Sequence, residues 1–207
     1  MATSTETTPS HPTLTSPAGS IADPGPLGLA AFALTTFLLS VANAGALNPG
    51  VKSIVLSTAL FYGGAVQVTA GMWEFRKGNT FGATAFSSYG AFWLAYWGLA
   101  EFYKPAAGVA KGDITQAVGF FLLGWTIFTA ILLVAALRTN AVLVVTFVAL
   151  TITCLVLALG EFQGSETLTK TGGWLGILTA ALAWYGAFAA VVNETWKRPA
   201  IPVWKIG

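Results

Sequence analysis

Long apolar stretches separated by short polar connections occupy most of the chain. A helix needs about 20 mostly apolar residues to cross a hydrocarbon core roughly 30 Å thick. The stretches are continuous, whereas the strands of a transmembrane barrel alternate apolar and polar residues over about ten positions. The pattern therefore predicts an all-α, polytopic integral membrane protein with six transmembrane helices. The predicted spans run approximately from Leu27 to Leu47, Ser53 to Trp73, Phe81 to Ala100, Ile114 to Leu137, Ala141 to Leu159 and Gly173 to Asn193.

The two ends of the chain differ from this apolar middle. Residues 1–22 are rich in Ser, Thr, Pro and Ala and nearly without charge, a composition that favours disorder. They lack the basic start and adjacent apolar core that mark a secretory signal peptide. We therefore predict a disordered polar tail over 1–22, a six-helix transmembrane domain over 23–196 and a C-terminal tail over 197–207.

The loop charges predict how the helices are oriented in the membrane. The two tails and the second and fourth loops together hold six Lys and Arg residues, and the opposite side holds four. Cytoplasmic segments carry the excess of Lys and Arg. We therefore expect a multi-pass protein of the cytoplasmic membrane with both termini, including the tail over 197–207, in the cytoplasm.

Composition removes several classes of function. Hydrophobic residues make up 55% of the chain and charged residues only 9%, whereas soluble domains carry about a quarter charged residues. The net charge of +2 is spread over short loops, so nucleic acid is not an expected partner. The sole cysteine, Cys154, lies in the fifth span, and the only histidine, His11, lies in the polar tail. We therefore expect no metal site, no cofactor and no enzymatic activity, since no nucleophile, base and orienting group converge.

Polar residues inside the spans recur at helical spacing and share faces. Such stripes either let helices pack closely and exchange hydrogen bonds, or face water and solute. Gln67 lies near the middle of its span, and both interpretations, structural hydrogen bonding and solute contact, remain open for its amide. The stripes are Phe32, Thr36, Ser40 and Asn43 in the first span and Gly63, Gln67, Ala70 and Glu74 in the second.

Charged residues cluster at the ends of the spans. Glu74 lies beside Arg76 and Lys77 in the second loop, and Glu161 follows the fifth span. Such residues commonly serve as interfacial anchors and loop ion pairs, each worth little. The alternative is that Glu74 or Glu161 shapes a vestibule.

Several motifs resemble those of the acetate uptake transporter family, and the resemblance covers about residues 23–197. The segment before the first span resembles the family signature Asn-Pro-Ala-Pro-Leu-Gly-Leu. Asp23 stands where the family usually has Asn, which adds negative charge near an anion path. Two prolines and the glycines of this segment suit an extended approach to a helix start. The matching motifs are Asp23-Pro24-Gly25-Pro26-Leu27-Gly28-Leu29, Phe61-Tyr62-Gly63-Gly64, Lys77-Gly78-Asn79-Thr80-Phe81-Gly82 and Ser88-Tyr89-Gly90.

The resemblance also implies an assembly and a site. In the family a six-helix protomer assembles as a cyclic hexamer, and each protomer has its own path. Similarity places the constriction of that path at Phe32, Tyr89 and Leu150. It places a further selectivity position at Ala183. The remaining residues expected to line the path or set its selectivity are Thr36, Gln67 and Ser88.

The function implied by the resemblance is transport of acetate and other small carboxylates. These residues do not decide whether succinate is a substrate. They also leave open whether the protein works as a channel or as a proton-linked symporter. No charged residue lies in mid-span, so hydroxyls, amides, backbone dipoles and water would have to satisfy a passing anion, which predicts weak binding and fast release. Two other hypotheses are movement of ammonia or ammonium and a membrane sensor or scaffold that transports nothing.

Overall fold

The computed structural model describes residues 21–48 and 53–206. Within these residues the chain forms six long helices, which confirms the predicted all-α fold. The predicted tail over 1–22 lies outside the described residues except for Ile21 and Ala22. The helices are α1 Gly25–Asn43, α2 Ser53–Lys77, α3 Thr80–Phe102, α4 Lys111–Ala136, α5 Ala141–Gln163 and α6 Glu166–Thr195.

Five of these helices are long and apolar enough to cross a membrane by length and hydropathy. The exception is α3, which has 23 residues but carries serines, tyrosines and tryptophans along its length. These side chains have polar atoms and lower the hydropathy of a helix. Tyr89 and Trp93 among them are buried inside the protein.

The helix ends depart from the apolar runs where capping groups extend or stop a helix. The sixth helix begins at Glu166 rather than near Gly173, because Ser165 accepts a hydrogen bond from the Leu168 amide at 3.4 Å. The first helix ends at Asn43, short of Leu47, and Gly45 after it has a left-handed φ of 80°. Hydropathy therefore predicts the part of a helix that crosses the membrane, whereas the capping residues determine where the helix begins and ends.

The six helices form a closed ring around the interior of the protein. In order around the ring, α3 packs against α2, α2 against α1, α1 against α6, α6 against α5 and α5 against α4. The ring closes between α4 and α3, whose backbones approach each other least. Aromatic side chains span this last gap, as in the stacked rings of Phe92 and Phe121 at 5.7 Å.

The middle of α2 is a π-helical turn over Phe61–Val66, in the glycine-rich segment of that span. A Cβ on Gly63 would lie 2.6 Å from the Thr35 hydroxyl oxygen of α1, and a Cβ on Gly64 would lie 2.5 Å from the Ala59 carbonyl oxygen. Glycine at position 63 therefore permits the close packing of α1 and α2, and glycine at position 64 leaves room for the Ala59 carbonyl inside the turn itself. Gln67 follows directly after the turn, and π-helical turns of this kind are frequent at functional sites.

The residues after α6 form a segment that we call the terminal strap, residues 197–206. The strap crosses the bundle end from α6 to the α4–α5 junction. The Asn193 side chain donates to the Ile201 carbonyl and accepts from the Ile201 amide, both at 2.8 Å. At the far end of the strap, the Ala141 amide donates to the Trp204 carbonyl at 2.9 Å. The strap thus connects the last helix to the start of α5.

Candidate functional site

Two cavities lie inside the helix ring. The first cavity has a volume of about 250 Å³ and is lined by residues from the first halves of α1, α3 and α5 and from the second halves of α2 and α6. Val203 of the terminal strap also lines it. The second cavity, of about 220 Å³, extends from the middle of the bundle to Asn43, Glu161 and Thr169 at the opposite helix ends. The two cavities therefore open toward opposite ends of the same bundle.

Three side chains line both cavities, and they are the residues predicted to form the constriction. Phe32 on α1, Tyr89 on α3 and Leu150 on α5 are the only described residues common to both sets of walls. All three are buried and belong to one apolar cluster. The rings of Phe32 and Tyr89 lie 5.6 Å apart between centroids. The structure thus brings these three residues together between the cavities.

The position of Tyr89 is fixed by contacts with α4. Its hydroxyl donates to the Thr129 hydroxyl oxygen at 3.0 Å, and the Thr129 hydroxyl donates to the Trp125 carbonyl at 2.7 Å. The Tyr89 ring also packs edge-on against Phe128, with centroids 5.7 Å apart. The apolar face of the Tyr89 ring lines the cavities, and its hydroxyl is hydrogen-bonded on the α4 side. The Tyr89 side chain is therefore held in a fixed position.

Polar atoms without hydrogen-bond partners concentrate on the cavity walls. Gln67 is completely buried, lines the first cavity, and neither atom of its amide has a partner among the described residues. The same holds for the Thr36 hydroxyl and the Trp93 indole N–H, which line the second cavity. Buried polar groups are nearly always paired, and an unpaired one costs about 1–3 kcal/mol. Groups left unpaired beside a cavity are suited to bind water or a polar solute there.

A charged group borders the first cavity at the end of α2, where the sequence allowed either span-end anchors or a vestibule. Glu74 is 1% exposed and accepts a hydrogen bond from the Asn79 side-chain amide at 2.8 Å. Asn79 in turn caps α3, accepting from the Gly82 amide at 3.1 Å. Lys77 and Asp23 complete the group. Its members are charged except for Asn79, which carries an amide. A role of Glu74 in shaping a vestibule therefore fits the geometry. The apolar run did not predict the burial of Glu74, because α2 continues past the end of that run.

The signature segment begins α1 instead of approaching it as an extended strand. Pro24 is the N-cap residue and has helical backbone angles, and Pro26 lies in the first turn. Proline is tolerated there because its missing N–H would have no partner in the helix. The Gly25 amide donates to the Asp23 carboxylate at 2.9 Å. The segment contributes Asp23, Gly25, Pro26 and Leu29 to the first cavity, while Gly28 packs against the Phe86 ring.

The remaining predicted site residues differ in their surroundings. Thr36 lines the second cavity, within the predicted stripe that also brings Ser40 there. Ala183 lines neither cavity but is buried in the apolar cluster that contains the three residues predicted to form the constriction. Ser88 is half-buried and is not part of either wall among the described residues. Trp93 of α3 also lines the second cavity.

Six helices, five of them long and apolar enough to cross a membrane, that enclose two cavities with a shared wall define a multi-pass membrane protein. The profile of the GPR1/FUN34/yaaH family matches residues 5–206, and the chain belongs to this family. The fold is similar to that of a solved structure described as the bacterial acetate channel SatP, with a TM-score of 0.82 and 37% identity. That similarity covers 89% of this chain and 99% of the other.

Two relatives carry names that point to different solutes. The chain is 38% identical over 183 residues to the succinate-acetate/proton symporter SatP of Escherichia coli strain K12, covering 88% of this chain and 95% of that protein. It is 40% identical over 185 residues to ammonia transport outward protein 2 of Saccharomyces cerevisiae, covering 86% of this chain. The chain spans only 64% of the length of that yeast protein.

Proposed function

We propose that this protein conducts acetate and other small carboxylates, including succinate, across the membrane through the path between the two cavities. The observation that carries the proposal is the shared wall of Phe32, Tyr89 and Leu150, which separates two cavities opening toward opposite bundle ends. The constriction is apolar, and the unpaired groups of Gln67 and Thr36 lie on either side of it. The names of SatP and of the acetate channel support the choice of solute.

The path suits a small solute that is held weakly. Below and above the constriction, single amide and hydroxyl groups offer a carboxylate hydrogen bonds without a fixed positive charge. A site that binds an ion too tightly cannot release it quickly, so sparse neutral donors favour fast passage. A carboxylic acid also carries its own titratable proton, with a pKa of about 4–5. Proton-linked transport would therefore need no charged relay in the bilayer centre.

Flux measurements in proteoliposomes test the proposal. Purified full-length protein should raise labelled acetate uptake well above that of empty vesicles, and unlabelled small carboxylates should compete. The variants Phe32→Ala, Tyr89→Ala and Leu150→Ala should change rate or selectivity without loss of membrane insertion. Acetate uptake no greater than in empty vesicles, across several pH values, would reject carboxylate transport. Acetate uptake above that of empty vesicles would count against the hypothesis of a sensor or scaffold that transports nothing.

Ammonia or ammonium movement is the second candidate, supported by the name of the yeast relative. The apolar constriction is compatible with a small neutral molecule. Competition separates the candidates: ammonium should leave labelled acetate uptake unchanged if the path is built for carboxylates. Inhibition by ammonium but not by other acids would favour the second candidate.

We also propose that protomers assemble as a cyclic hexamer with both termini in the cytoplasm. The family resemblance implies the ring, and loop charges favour the orientation. The proposal of a common side for both termini is supported by Asp23 and Val203, which line the same cavity. Native mass spectrometry measures the assembly, and labelling of single cysteines placed near each terminus from either side of the membrane measures the orientation.

A further inference from the structure

Three charged side chains and one amide at the helix ends that border the first cavity form one linked group, which we call the mouth group: Asp23, Glu74, Lys77 and Asn79. The Lys77 ammonium lies 2.7 Å from an Asp23 carboxylate oxygen and 3.9 Å from a Glu74 carboxylate oxygen. Among the described residues, these two carboxyl groups and one ammonium are the only charged side chains that line the cavity. The mouth therefore offers an approaching anion one cation that is already engaged by carboxylates.

The two carboxyl groups differ in what else depends on them. Glu74 is buried, and its partner Asn79 caps α3, so its removal would disturb the helix connection. Asp23 and Lys77 are both well exposed, with side-chain exposures of 45% and 36%. An exposed ion pair adds little to stability. The pair is therefore positioned to affect the electrostatic potential at the mouth more than the fold.

On the basis of the proposed carboxylate transport, we propose that Asp23 limits access of carboxylate anions by neutralising Lys77. A free ammonium at a cavity mouth attracts anions and raises their local concentration. Lys77 paired to Asp23 loses that attraction, and the second carboxyl group leaves the mouth without excess positive charge. Asp23 and Lys77 thus act as residues that determine apparent substrate affinity, in opposite directions.

The sequence offers a substitution that changes the charge and preserves the local structure. The Asp23 oxygen that pairs with Lys77 also accepts the hydrogen bond of the Gly25 amide at 2.9 Å. Asn has the same shape and keeps an acceptor oxygen for that amide. Asp23→Asn therefore removes the negative charge and leaves the start of α1 intact. Asp23→Glu and Lys77→Arg retain each charge and serve as matched controls.

The test is labelled acetate uptake into proteoliposomes at about pH 7, where acetate is almost wholly ionised. Asp23→Asn should lower the KM about threefold to fivefold, and Lys77→Gln should raise it by a similar factor, with maximal rates little changed. The double variant restores the balance of one excess negative charge and should lie close to the wild type. The shift caused by Asp23→Asn should shrink at high ionic strength, because salt screens exposed charges.

The outcomes separate this inference from the proposed function. Wild-type vesicles without acetate uptake would reject the transport proposal itself. Wild-type uptake with KM values unchanged in both single variants, or displaced in the same direction, would reject the electrostatic role of the pair. Displacement in the same direction is what a merely structural ion pair would give, since either substitution breaks it. A lower KM in Asp23→Asn and a higher KM in Lys77→Gln, with Asp23→Glu and Lys77→Arg near the wild type, support the inference, and shifts of the reverse sign reject it.

Discussion

The hydroxyl of Tyr89 donates to the hydroxyl oxygen of Thr129 across 3.0 Å, and this bond joins the two helices of the ring whose backbones approach least. Rings rather than close backbone contacts fill the space between α3 and α4. Tyr89 lies 6.1 Å from Trp125 and 5.6 Å from Phe32, measured between ring centroids. One residue therefore both closes the helix ring and forms a wall of the proposed constriction.

Removing this bond from either side should change transport in the same way and stability by different amounts. Thr129→Val leaves the Tyr89 hydroxyl buried without its partner, which should cost about 1–3 kcal/mol of unfolding free energy. Tyr89→Phe removes the same bond but leaves the Thr129 hydroxyl bonded to the Trp125 carbonyl, so it should cost less. Acetate uptake and thermal unfolding in detergent measure both effects. Unchanged uptake in both variants would show that the bond does not position the ring for transport.

Leu150 is the one residue of the proposed constriction that is not aromatic, so shortening its side chain removes no ring contact. Leu150→Ala should raise the ratio of succinate to acetate flux about tenfold, because steric selection at an apolar wall changes by that order with a few methylene groups. The control is Leu155→Ala on the same helix, whose side chain is 40% exposed. Paired uptake of the two labelled acids gives the ratio. An equal ratio in both leucine variants would contradict a selective role for Leu150.

Gln67 allows the structural and the solute-contact interpretations to be separated. Because its amide has no partner among the described residues, Gln67→Leu should preserve stability or raise it by about 1 kcal/mol. The same change should lower acetate flux about tenfold if the amide binds passing solute. Gln116→Leu, at an exposed position on α4, is the matched control. Loss of stability together with flux in Gln67→Leu would instead identify the amide as structural.

The number of helices followed from the sequence because the bilayer imposes a length on every uncharged apolar run. The stripe containing Phe32 and Thr36 also followed, since residues spaced by three and four share a helix face. The burial of Glu74 did not follow, because it depends on α2 continuing beyond its apolar run to reach Asn79. That the Gln67 amide has no partner among the described residues did not follow either, since it depends on how the other helices pack around it.

The terminal strap is a feature that no apolar pattern predicted, because its contacts lie far apart in the sequence. Asn193 is bonded twice to Ile201, and Tyr185 donates to the Pro202 carbonyl at 2.8 Å. Val203 of the strap lines the first cavity. The position of this segment therefore affects the shape of the cavity mouth, and it is held there by few side chains.

Asn193→Ala should release the strap from the bundle, because it removes both bonds that the side chain makes with Ile201. The Ile201 amide should then exchange its hydrogen about tenfold faster, the effect of losing roughly one net hydrogen bond. Asn193→Asp keeps an acceptor for that amide and should give a smaller increase, whereas Tyr185→Phe should act mainly near Pro202. Hydrogen–deuterium exchange with mass spectrometry of peptides covering 198–206 measures the difference. If the Ala and Asp variants exchange at the wild-type rate, the strap is held by its bonds to the α4–α5 junction, and Asn193 does not determine its position.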